Sequence, residues 1–267
     1  MNSLAQRLWD ARVNGTTIEI ADNELPKTIE AAYNLQYETI ARSGMASVGF
    51  KVGSTSKEAQ RVLGTSEPSS GALLDPFVFQ SPAMFHIAPC QMPAIEGEFA
   101  FRLGTALPAR AQVYEREEIM SAVSAVAAAV EIVGSRTRGG LAGRGRLLST
   151  ADGSANIALV VGKWTEDWRA LNLPEHRVQA YINGEAGGGG VGARALGDPI
   201  NVLVWLANQQ SRRGRGLKAG EIVATGTCTG LDEVIPGDQA LFDFGMLGRV
   251  DINFISHTKT MVDLNSE

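Results

Sequence analysis

The chain has 267 residues, 44% hydrophobic and 20% charged, the composition of an ordinary globular protein that can bury one large core or two small ones. Lysine and arginine number 24 against 29 acidic residues, and a net charge of −5 without a dense basic run argues against a nucleic-acid partner. No apolar run reaches the length of a membrane span and the N-terminus lacks a signal-peptide core, so a cytoplasmic location is expected.

The first part of the chain has the pattern of helices. Apolar residues between Ile29 and Ile40 recur at helical spacing, with Pro26 before the segment and Gly44 after it. The stretch "LAQRLWDARV" precedes them. We therefore predict a helical N-terminal segment over residues 1–45 and a separate, larger domain over residues 46–267.

Short alternating strands separated by glycine dominate the chain after Ala46. The predicted strands are "SVGFKVG", "AIEGEFAFRL", "NIALVVG", "RVQAYINGE", "EIVATGT", "ALFDFG" and "RVDINF". The larger domain is therefore expected to be mostly sheet.

Two helices are predicted among these strands. One covers "REEIMSAVSAVAAAV" and the other "DPINVLVWLANQQSRRG", where Asp198 can cap the helix, Pro199 suits its first turn and Gly214 ends it. The stretch "GEAGGGGVGARALG" lacks the spacing and context of a nucleotide-binding loop. It is interpreted as a turn-rich loop, and neither ATP nor NAD is expected as a cofactor.

The cysteines and histidines form no recognisable catalytic or metal-binding pattern. Cys90 and Cys228 are not part of a Cys-x-x-Cys motif and are predicted to be buried free thiols. His86, His176 and His257 are scattered, and no Gly-x-Ser-x-Gly turn is present. A Ser-His-Asp hydrolase is therefore not expected.

The segment "PAIEGEFAF" places two carboxylates on one face of a predicted strand. Side chains alternate across a strand, so Glu96 and Glu98 share a face while Ile95, Phe99 and Phe101 share the other. If the first face is buried, two like charges are costly unless a cation lies between them. A half-exposed strand with two solvated glutamates is the alternative.

A third carboxylate strengthens the case for a metal ion. Glu131 lies in "AVAAAVEIV", whose neighbours predict burial, and a salt bridge to Arg136 or Arg138 is one way to satisfy it. A single ion bound by Glu96, Glu98 and Glu131 explains all three acids. Ligation by oxygen alone selects a hard cation, and Mg²⁺ or Mn²⁺ suits such a site better than Zn²⁺ or copper.

Lys51 and a late glycine-containing loop are further candidates for a ligand site. In "VGFKVGS" the lysine alternates with Gly49 and Gly53 on one face, which removes bulk beside it, although an exposed strand lysine has the same pattern. The "TGTCTG" loop offers hydroxyls and backbone N–H groups that could hold a carboxylate, but many such loops are only turns.

Taken in order, these segments resemble the fumarylacetoacetate hydrolase superfamily, in particular its 2-keto-4-pentenoate hydratase and 4-oxalocrotonate decarboxylase branch. The matching pieces run from Val48 to Phe254 and include "GFKVGST", "PAIEGEFAF", "VEIVGSR", "ADGSANIALVVG", "TGTCTG" and "PGDQALFDFGMLGRVDINF". The resemblance implies an α+β fold, a mixed β-roll with peripheral helices after a helical N-terminal segment, and commonly a homo-oligomer.

The resemblance also assigns roles to individual residues. It places one Mg²⁺ or Mn²⁺ on Glu96, Glu98 and Glu131, and it implies that Lys51 and Asp75 handle protons. The substrate-binding residues it implies are Ser54, Thr225, Gly226 and Thr227. A bound cation beside Lys51 would lower the pKa of the lysine and suit it to proton transfer.

Two segments depart from the pattern of many relatives. After the Ser-Arg pair the chain reads "TRGGLAGRGRLLST", rich in glycine and arginine, which puts this edge of the pocket in doubt. Where many relatives have Asp-Asn-Ala-Ser, this chain has Asp152-Gly153-Ser154-Ala155 and so lacks an amide side chain. Both differences bear on substrate preference.

The resemblance implies a hydratase that adds water to a 2-hydroxy-2,4-dienoate and gives a 4-hydroxy-2-oxo acid, in the breakdown of aromatic compounds. Decarboxylation of a 2-oxo-enedioate such as 4-oxalocrotonate is the alternative, with Arg136, Arg138, Arg144, Arg146 and Arg194 as candidates to bind the second carboxylate. A C–C bond hydrolase would need a His–Glu pair that is not evident. A non-catalytic role, as a partner of another pathway enzyme, is the remaining alternative.

Overall fold

The computed structural model of the protein describes residues 2–141 and 145–257. Its α-helices are α1 (Leu4–Asn14), α2 (Ile29–Ser43), α3 (Lys57–Val62), α4 (Arg116–Ala122), α5 (Gly145–Ala151) and α6 (Pro199–Arg212). None of the helices in this part of the chain combines the length and the hydropathy that crossing a membrane requires.

The described strands form two mixed sheets. The strands are β1 (Ser47–Gly53), β2 (Ser69–Leu74), β3 (Val78–Gln80), β4 (Ala83–Ile87), β5 (Ala94–Leu103), β6 (Val123–Val133), β7 (Asn156–Val161), β8 (Arg177–Ile182), β9 (Glu185–Val191), β10 (Ile222–Ala224), β11 (Asp232–Glu233), β12 (Gln239–Asp243) and β13 (Arg249–Ser256). The larger sheet has the order β2-β1-β10-β5-β6-β7-β3, with β11 also paired to β5, and the smaller has the order β4-β13-β12-β8-β9. This is the α+β architecture that the sequence predicts.

The N-terminal helices begin and end close to where the sequence predicts. Thr28 caps α2 by accepting from the N–H of Ala31, and Gly44 ends the helix in the left-handed conformation that glycine tolerates. Trp9 of α1 belongs to the same hydrophobic core as the strands of both sheets. The division of the chain at residue 45 into two domains stays a prediction.

Strands β5 and β6 are the centre of the larger sheet and are buried on both faces. They pair antiparallel along their whole length, and nearly every residue of each is inaccessible to solvent. The second sheet packs on one face of β5, where Val178 and Phe242 lie close to Gly97. Strands so enclosed have little polar alternation to reveal them in sequence.

The alanine-rich run is the main error of the sequence reading. The predicted helix over "REEIMSAVSAVAAAV" ends at Ala122 as α4, and the rest of the run forms β6. Alanine fits the narrow space between the packed layers, so tertiary packing overrides its high helix propensity. The helix predicted from Asp198 is confirmed, and the Asp198 carboxylate accepts from the N–H of Ile200.

Two smaller expectations were also wrong. The glycine-dense stretch that we interpreted as a loop contains β9, which pairs antiparallel with β8. Its glycines lie against neighbouring backbone, and a Cβ at Gly190 would lie 2.1 Å from the carbonyl oxygen of Cys228. Cys90 is exposed in a short 3₁₀ turn, whereas Cys228 is buried as predicted.

Candidate active site

Strand register brings the three predicted carboxylates together. Glu96 on β5 lies directly opposite Glu131 on β6, and residues in this position project to the same side of the sheet. Glu98 follows two residues later and shares that side. Carboxylate oxygens of the three side chains lie within 4.8 Å of one another, and Glu98 and Glu131 are fully buried.

Burial and mutual repulsion raise the pKa of Glu96 and of Glu98. Desolvation, followed by the charge of Glu131, raises the pKa of Glu96 to about 7. The same causes, with the charge of Glu96 added, raise the pKa of Glu98 well above its usual value. Such shifts mark a group of acids that is costly to ionise together without a compensating cation.

The donor set fits a divalent cation. Neither side-chain oxygen of Glu98 receives a hydrogen bond from any described residue, although both are buried. Buried carboxylate oxygens are normally satisfied, so two free ones beside two further carboxylates indicate a missing ligand. Oxygen ligands alone suit a hard cation, so the three glutamates have the donor set of a candidate divalent-metal site.

Lys51 completes the cluster from β1. Its Nζ lies 2.8 Å from Oε2 of Glu131 and donates to the carbonyl oxygen of Ser154 at 2.9 Å. A Cβ at Gly53 would lie 3.1 Å from Nζ, which supports the expectation that glycine leaves room for the lysine. Glu131 therefore pairs with Lys51, and the proposed alternatives Arg136 and Arg138 pair with other acids.

The pKa of Lys51 results from two opposing effects. Burial lowers it, but the charges of Glu131, Glu96 and Glu98 outweigh burial, and the pKa is raised above its usual value. This direction is opposite to the lowering that we expected beside a bound cation. The carboxylates account for the difference, because neutralising them would remove the attraction that raises the pKa.

A cavity of about 140 Å³ opens beside the carboxylates and the lysine. Ser54, Gly226 and Thr227, three of the predicted substrate-binding residues, line it together with Lys51 and Glu96. The geometry therefore gathers residues from β1, β5 and the loop after β10 around one small space.

Thr225 lies outside the cavity lining. Its side chain is fully buried, and its hydroxyl donates to the carbonyl oxygen of Phe99 at 3.0 Å. It anchors the loop to β5 and presents no free polar atom to a ligand.

Asp75 is not brought to this site. It begins a short 3₁₀ turn after β2, is exposed, and does not line the cavity. The strand pairing explains this, because Lys51 lies opposite Gly71, four residues before Asp75. The structure therefore gives no geometric support to a proton-transfer role for Asp75.

Several residues of the site escaped the sequence analysis. Ser69 and Ser154 line the cavity, and Ser154 Oγ donates to Ser69 Oγ at 3.1 Å. Asn156 donates to Oε1 of Glu131 at 2.8 Å. Ser154 lies in the atypical segment that ends at Ala155, and Asn156 directly follows it, so the departure from the usual pattern was the available signal.

Part of the cavity lining is apolar. Ala59, Leu63, Val133, Ala155 and Leu231 contribute to its lining. Among the described lining residues, Lys51 is the one cationic side chain.

The arginines proposed for a second carboxylate lie elsewhere. Arg136 is buried against Asp152 at 2.7 Å, Arg138 pairs with Glu19 on the surface, and Arg146 contacts Glu67. Arg194 is exposed and is not part of the lining. Arg144, with part of the 137–150 segment, lies outside the described residues.

Comparisons with known proteins agree with this site. The family model described as fumarylacetoacetate (FAA) hydrolase C-terminal matches residues 48–255. A 2-keto-4-pentenoate hydratase of Paraburkholderia xenovorans is 32% identical, over 95% of this chain and 94% of its own. A 2-hydroxyhexa-2,4-dienoate hydratase of Comamonas testosteroni is 30% identical, over 93% of this chain and 95% of its own.

The fold comparison leads to the same group of proteins. The 4-oxalocrotonate decarboxylase of Pseudomonas putida G7, solved with magnesium and adipate, superimposes with a TM-score of 0.86 at 27% identity, over 94% of this chain and 96% of its own. The matched segment contains Lys51 and all three glutamates. The chain belongs to the fumarylacetoacetate hydrolase family.

Proposed function

We propose that the protein is a metal-dependent hydratase that adds water to a 2-hydroxy-2,4-dienoate and forms a 4-hydroxy-2-oxo acid. The observation that carries this proposal is the buried cluster of Glu96, Glu98 and Glu131 beside Lys51, at one end of a small cavity. The names of the hydratase relatives support it, and they suggest a setting in the breakdown of aromatic compounds.

The proposed cofactor is Mg²⁺ or Mn²⁺, held by Glu96, Glu98 and Glu131. When bound, the cation supplies stabilisation for negative charge that develops on the oxygen atoms of the substrate. The related decarboxylase structure that contains magnesium supports this choice of ion.

Lys51 is the proposed proton carrier. Its ammonium group is buried and held by Glu131 and the Ser154 carbonyl, so its position is fixed before substrate enters. The hydration requires a proton to move between the 2-hydroxyl end of the dienoate and a carbon of the chain, and a buried amine beside the cavity can give or take it. Ser54 and the Gly226 backbone, which line the cavity, would hold the substrate carboxylate, and Thr227, whose hydroxyl donates to the carbonyl oxygen of Gly230 at 3.2 Å, would keep the loop in position.

The apolar lining favours hydration over decarboxylation of an enedioate. A 2-hydroxy-2,4-dienoate has one carboxylate and a hydrocarbon tail, which suits a cavity whose lining includes Leu63 and Leu231. A second carboxylate there would lose its hydration without a described cationic partner. The decarboxylase reaction is therefore the second candidate.

The remaining alternatives have less support. The described histidines do not line the cavity, which counts against the His–Glu pair of a C–C bond hydrolase. A non-catalytic partner would have no need of a buried carboxylate cluster, which is costly to the fold. We also propose a homo-oligomer, with association to another pathway enzyme as a further possibility, and light scattering of the purified protein tests the first of these.

The deciding experiment is product analysis by NMR. The Mg²⁺-loaded protein is incubated with freshly generated 2-hydroxypenta-2,4-dienoate and, separately, with 4-oxalocrotonate. We expect a 4-hydroxy-2-oxo acid from the first substrate, its loss in Glu98→Ala, and its retention in the exposed control Glu58→Ala. Release of CO₂ from the second substrate without hydration of the first would replace this proposal with the decarboxylase.

A further inference from the structure

Asn156 connects the metal cluster to the rest of the fold. It is the first residue of β7, is buried, and follows a register irregularity between β6 and β7. Its Nδ2 donates to Oε1 of Glu131 at 2.8 Å, while Lys51 contacts the other oxygen of the same carboxylate at 2.8 Å. The two oxygens of Glu131 are therefore fixed from two sides.

The amide orientation of Asn156 is determined by an arginine. Arg12 of α1 donates from Nη2 to Oδ1 of Asn156 at 3.1 Å and from Nη1 to its carbonyl oxygen at 2.8 Å. A guanidinium only donates hydrogen bonds, so the oxygen of the amide must face Arg12. The nitrogen then faces Glu131, which only accepts when it is ionised.

The Arg12 guanidinium is itself held in place. It lies 4.3 Å from the centroid of the Phe77 ring and also donates to the carbonyl oxygen of Ile157 at 2.7 Å. Arg136, bound to Asp152, gives the Asn156 carbonyl oxygen a second donor at 2.7 Å. The N-terminal helix thus contributes a fixed donor to a residue that touches a metal ligand.

From these contacts we infer that Asn156 and Arg12 are positioning residues for the metal site, with Arg12 acting through Asn156 on the Glu131 carboxylate. The inference deepens the proposed function and rests on it for the identity of the ion. It also gives the N-terminal segment a part in the site, although none of its residues is a metal ligand. Side chains that hydrogen-bond to a metal ligand orient it, and their loss typically weakens metal binding about 10–100-fold.

The relay of contacts from Arg12 through Asn156 to Glu131 predicts how the effects of two substitutions on metal binding combine. If Arg12 acts by orienting the Asn156 amide, its removal has no effect on metal binding once that amide is gone. If Arg12 only helps to dock α1, its removal weakens the site equally with or without Asn156. A double-mutant cycle separates the two cases, because contacting residues are coupled and independent ones are additive.

The experiment measures Mn²⁺ dissociation constants by calorimetry, without substrate, for wild type, Arg12→Met, Asn156→Ala and the double variant. Methionine keeps an apolar stem against Phe77 and removes the donors. We expect each single variant to weaken Mn²⁺ binding about 10-fold or more and the double variant to bind like Asn156→Ala. Arg12→Lys, which keeps one donor, is expected to recover part of the affinity.

Gln91→Met is the matched control for helix docking. Gln91 ties the end of α1 to the domain by donating to the carbonyl oxygens of Ala11 and Thr16, both at 3.0 Å, and touches neither Asn156 nor a glutamate. We expect this variant to melt at a lower temperature and to keep the wild-type Mn²⁺ affinity. Additive effects of Arg12 and Asn156, or a Gln91→Met loss as large as that of Arg12→Met, would overturn the inference.

The Mn²⁺ binding measurement does not depend on the proposed reaction. A wild-type protein that binds Mn²⁺ through this relay but hydrates no dienoate would refute the proposed function and leave the positioning role intact. Normal hydration combined with unchanged Mn²⁺ affinity in Asn156→Ala would refute the positioning role and leave the proposed function intact.

Discussion

Glu98 is the residue whose local environment is least favourable without a ligand. Both of its side-chain oxygens are buried without a hydrogen-bond donor among the described residues, and two further carboxylates lie nearby. A protein tolerates such an arrangement when function requires it, at the expense of stability. A substitution of Glu98 should therefore change stability and activity in opposite directions.

We expect Glu98→Gln to raise the melting temperature of the metal-free protein and to abolish hydration. At a pH where the cluster is ionised, the neutral amide removes a buried charge, which we expect to stabilise the metal-free fold by an amount on the order of 1 kcal/mol. Loss of one ligand should weaken Mn²⁺ binding by at least about 100-fold, more than loss of an outer partner does. Thermal unfolding in EDTA and calorimetry with Mn²⁺ provide the two measurements.

Glu58→Gln is the control for this substitution, because Glu58 is exposed and pairs with Arg61 on the surface. It should change neither quantity measurably, as exposed pairs contribute little. A Glu98→Gln protein that is less stable in EDTA than wild type would show that the carboxylate has a stabilising partner which the structure does not reveal.

Leu63 gives a second residue-level test, this time of substrate choice. It lines the apolar part of the cavity, where we expect the hydrocarbon tail of the substrate. Leu63→Arg should lower kcat/KM for 2-hydroxypenta-2,4-dienoate and raise it for a dienoate that carries a second carboxylate. A charge-assisted contact of this type is worth about 1.5–3 kcal/mol, so we expect a reversal of preference of at least about 10-fold.

Val62→Arg is the matched control for Leu63→Arg. Val62 precedes Leu63 at the end of α3 but is exposed and does not line the cavity. It should leave the ratio of the two kcat/KM values unchanged. Equal changes in both variants would mean that the added charge acts through the general surface field and that Leu63 does not contact substrate.

At the scale of elements, the sequence predicted strands with clear alternation and missed others that lack it, among them β6 and the glycine-rich β9. The strand with Glu96 and Glu98 has aromatic and β-branched residues around its acids. The sequence predicted both this strand and the face that the two acids share. β6 consists largely of alanine and valine, and a short apolar run does not distinguish a buried strand from a helix. The run forms a strand because it pairs with β5 on one side and β7 on the other, and a local sequence pattern does not contain that information.

Gly97 shows why the strand that carries the two acids has glycine between them. A Cβ at this position would lie 2.9 Å from Phe242, 3.0 Å from Val178 and 3.1 Å from Thr229, so the second sheet packs directly against the backbone. We expect Gly97→Ala to destabilise the protein by about 1–3 kcal/mol through overpacking. Chemical denaturation with unchanged cooperativity is the measurement.

The same exchange at Gly162 calibrates this expectation. A Cβ there would lie 3.3–3.4 Å from its nearest atoms, so the neighbouring residues would have to shift less than at Gly97. Gly162→Ala should therefore cost clearly less than Gly97→Ala. Equal losses at the two positions would indicate that contact with the second sheet does not control the effect, because the reduced backbone freedom of alanine in the unfolded chain favours the folded state.

At the scale of the whole molecule, the sequence predicted the carboxylate cluster better than its surroundings. Glu96, Glu98 and Lys51 lie on strands whose alternation fixes the side of the sheet, whereas Glu131 lies on β6, most of which the sequence assigned to a helix. Asn156 and Arg12 are 144 positions apart, and no local pattern predicts that a helix near the N-terminus reaches β7. Asp75 was placed by resemblance alone, and the strand pairing removes it from the cavity.

The shared ionisation of the cluster connects pH, metal binding and global stability. The pKa of Glu96 is about 7 in the folded protein, against a usual value of 4.5, and the pKa of Glu98 is also raised well above 4.5, in both cases mainly by burial. A carboxyl whose folded pKa is raised contributes stability below its unfolded pKa and loses it as pH rises through the folded pKa. The metal-free protein should therefore become less stable between about pH 5 and pH 8 through these groups.

The cation reverses this dependence, because it binds the ionised carboxylates and displaces their protons. We expect the increase in melting temperature caused by saturating Mg²⁺ to be small at pH 6 and to grow through pH 7 to pH 8, while the metal-free protein melts progressively earlier. Lys51, whose pKa is raised, stays charged over this range and does not alter the sign. In Glu98→Gln one of the shifted groups is gone, so both trends should flatten. A metal-induced increase that is the same at pH 6 and pH 8 would mean that the glutamates are already ionised in the metal-free fold, with Lys51 alone compensating them.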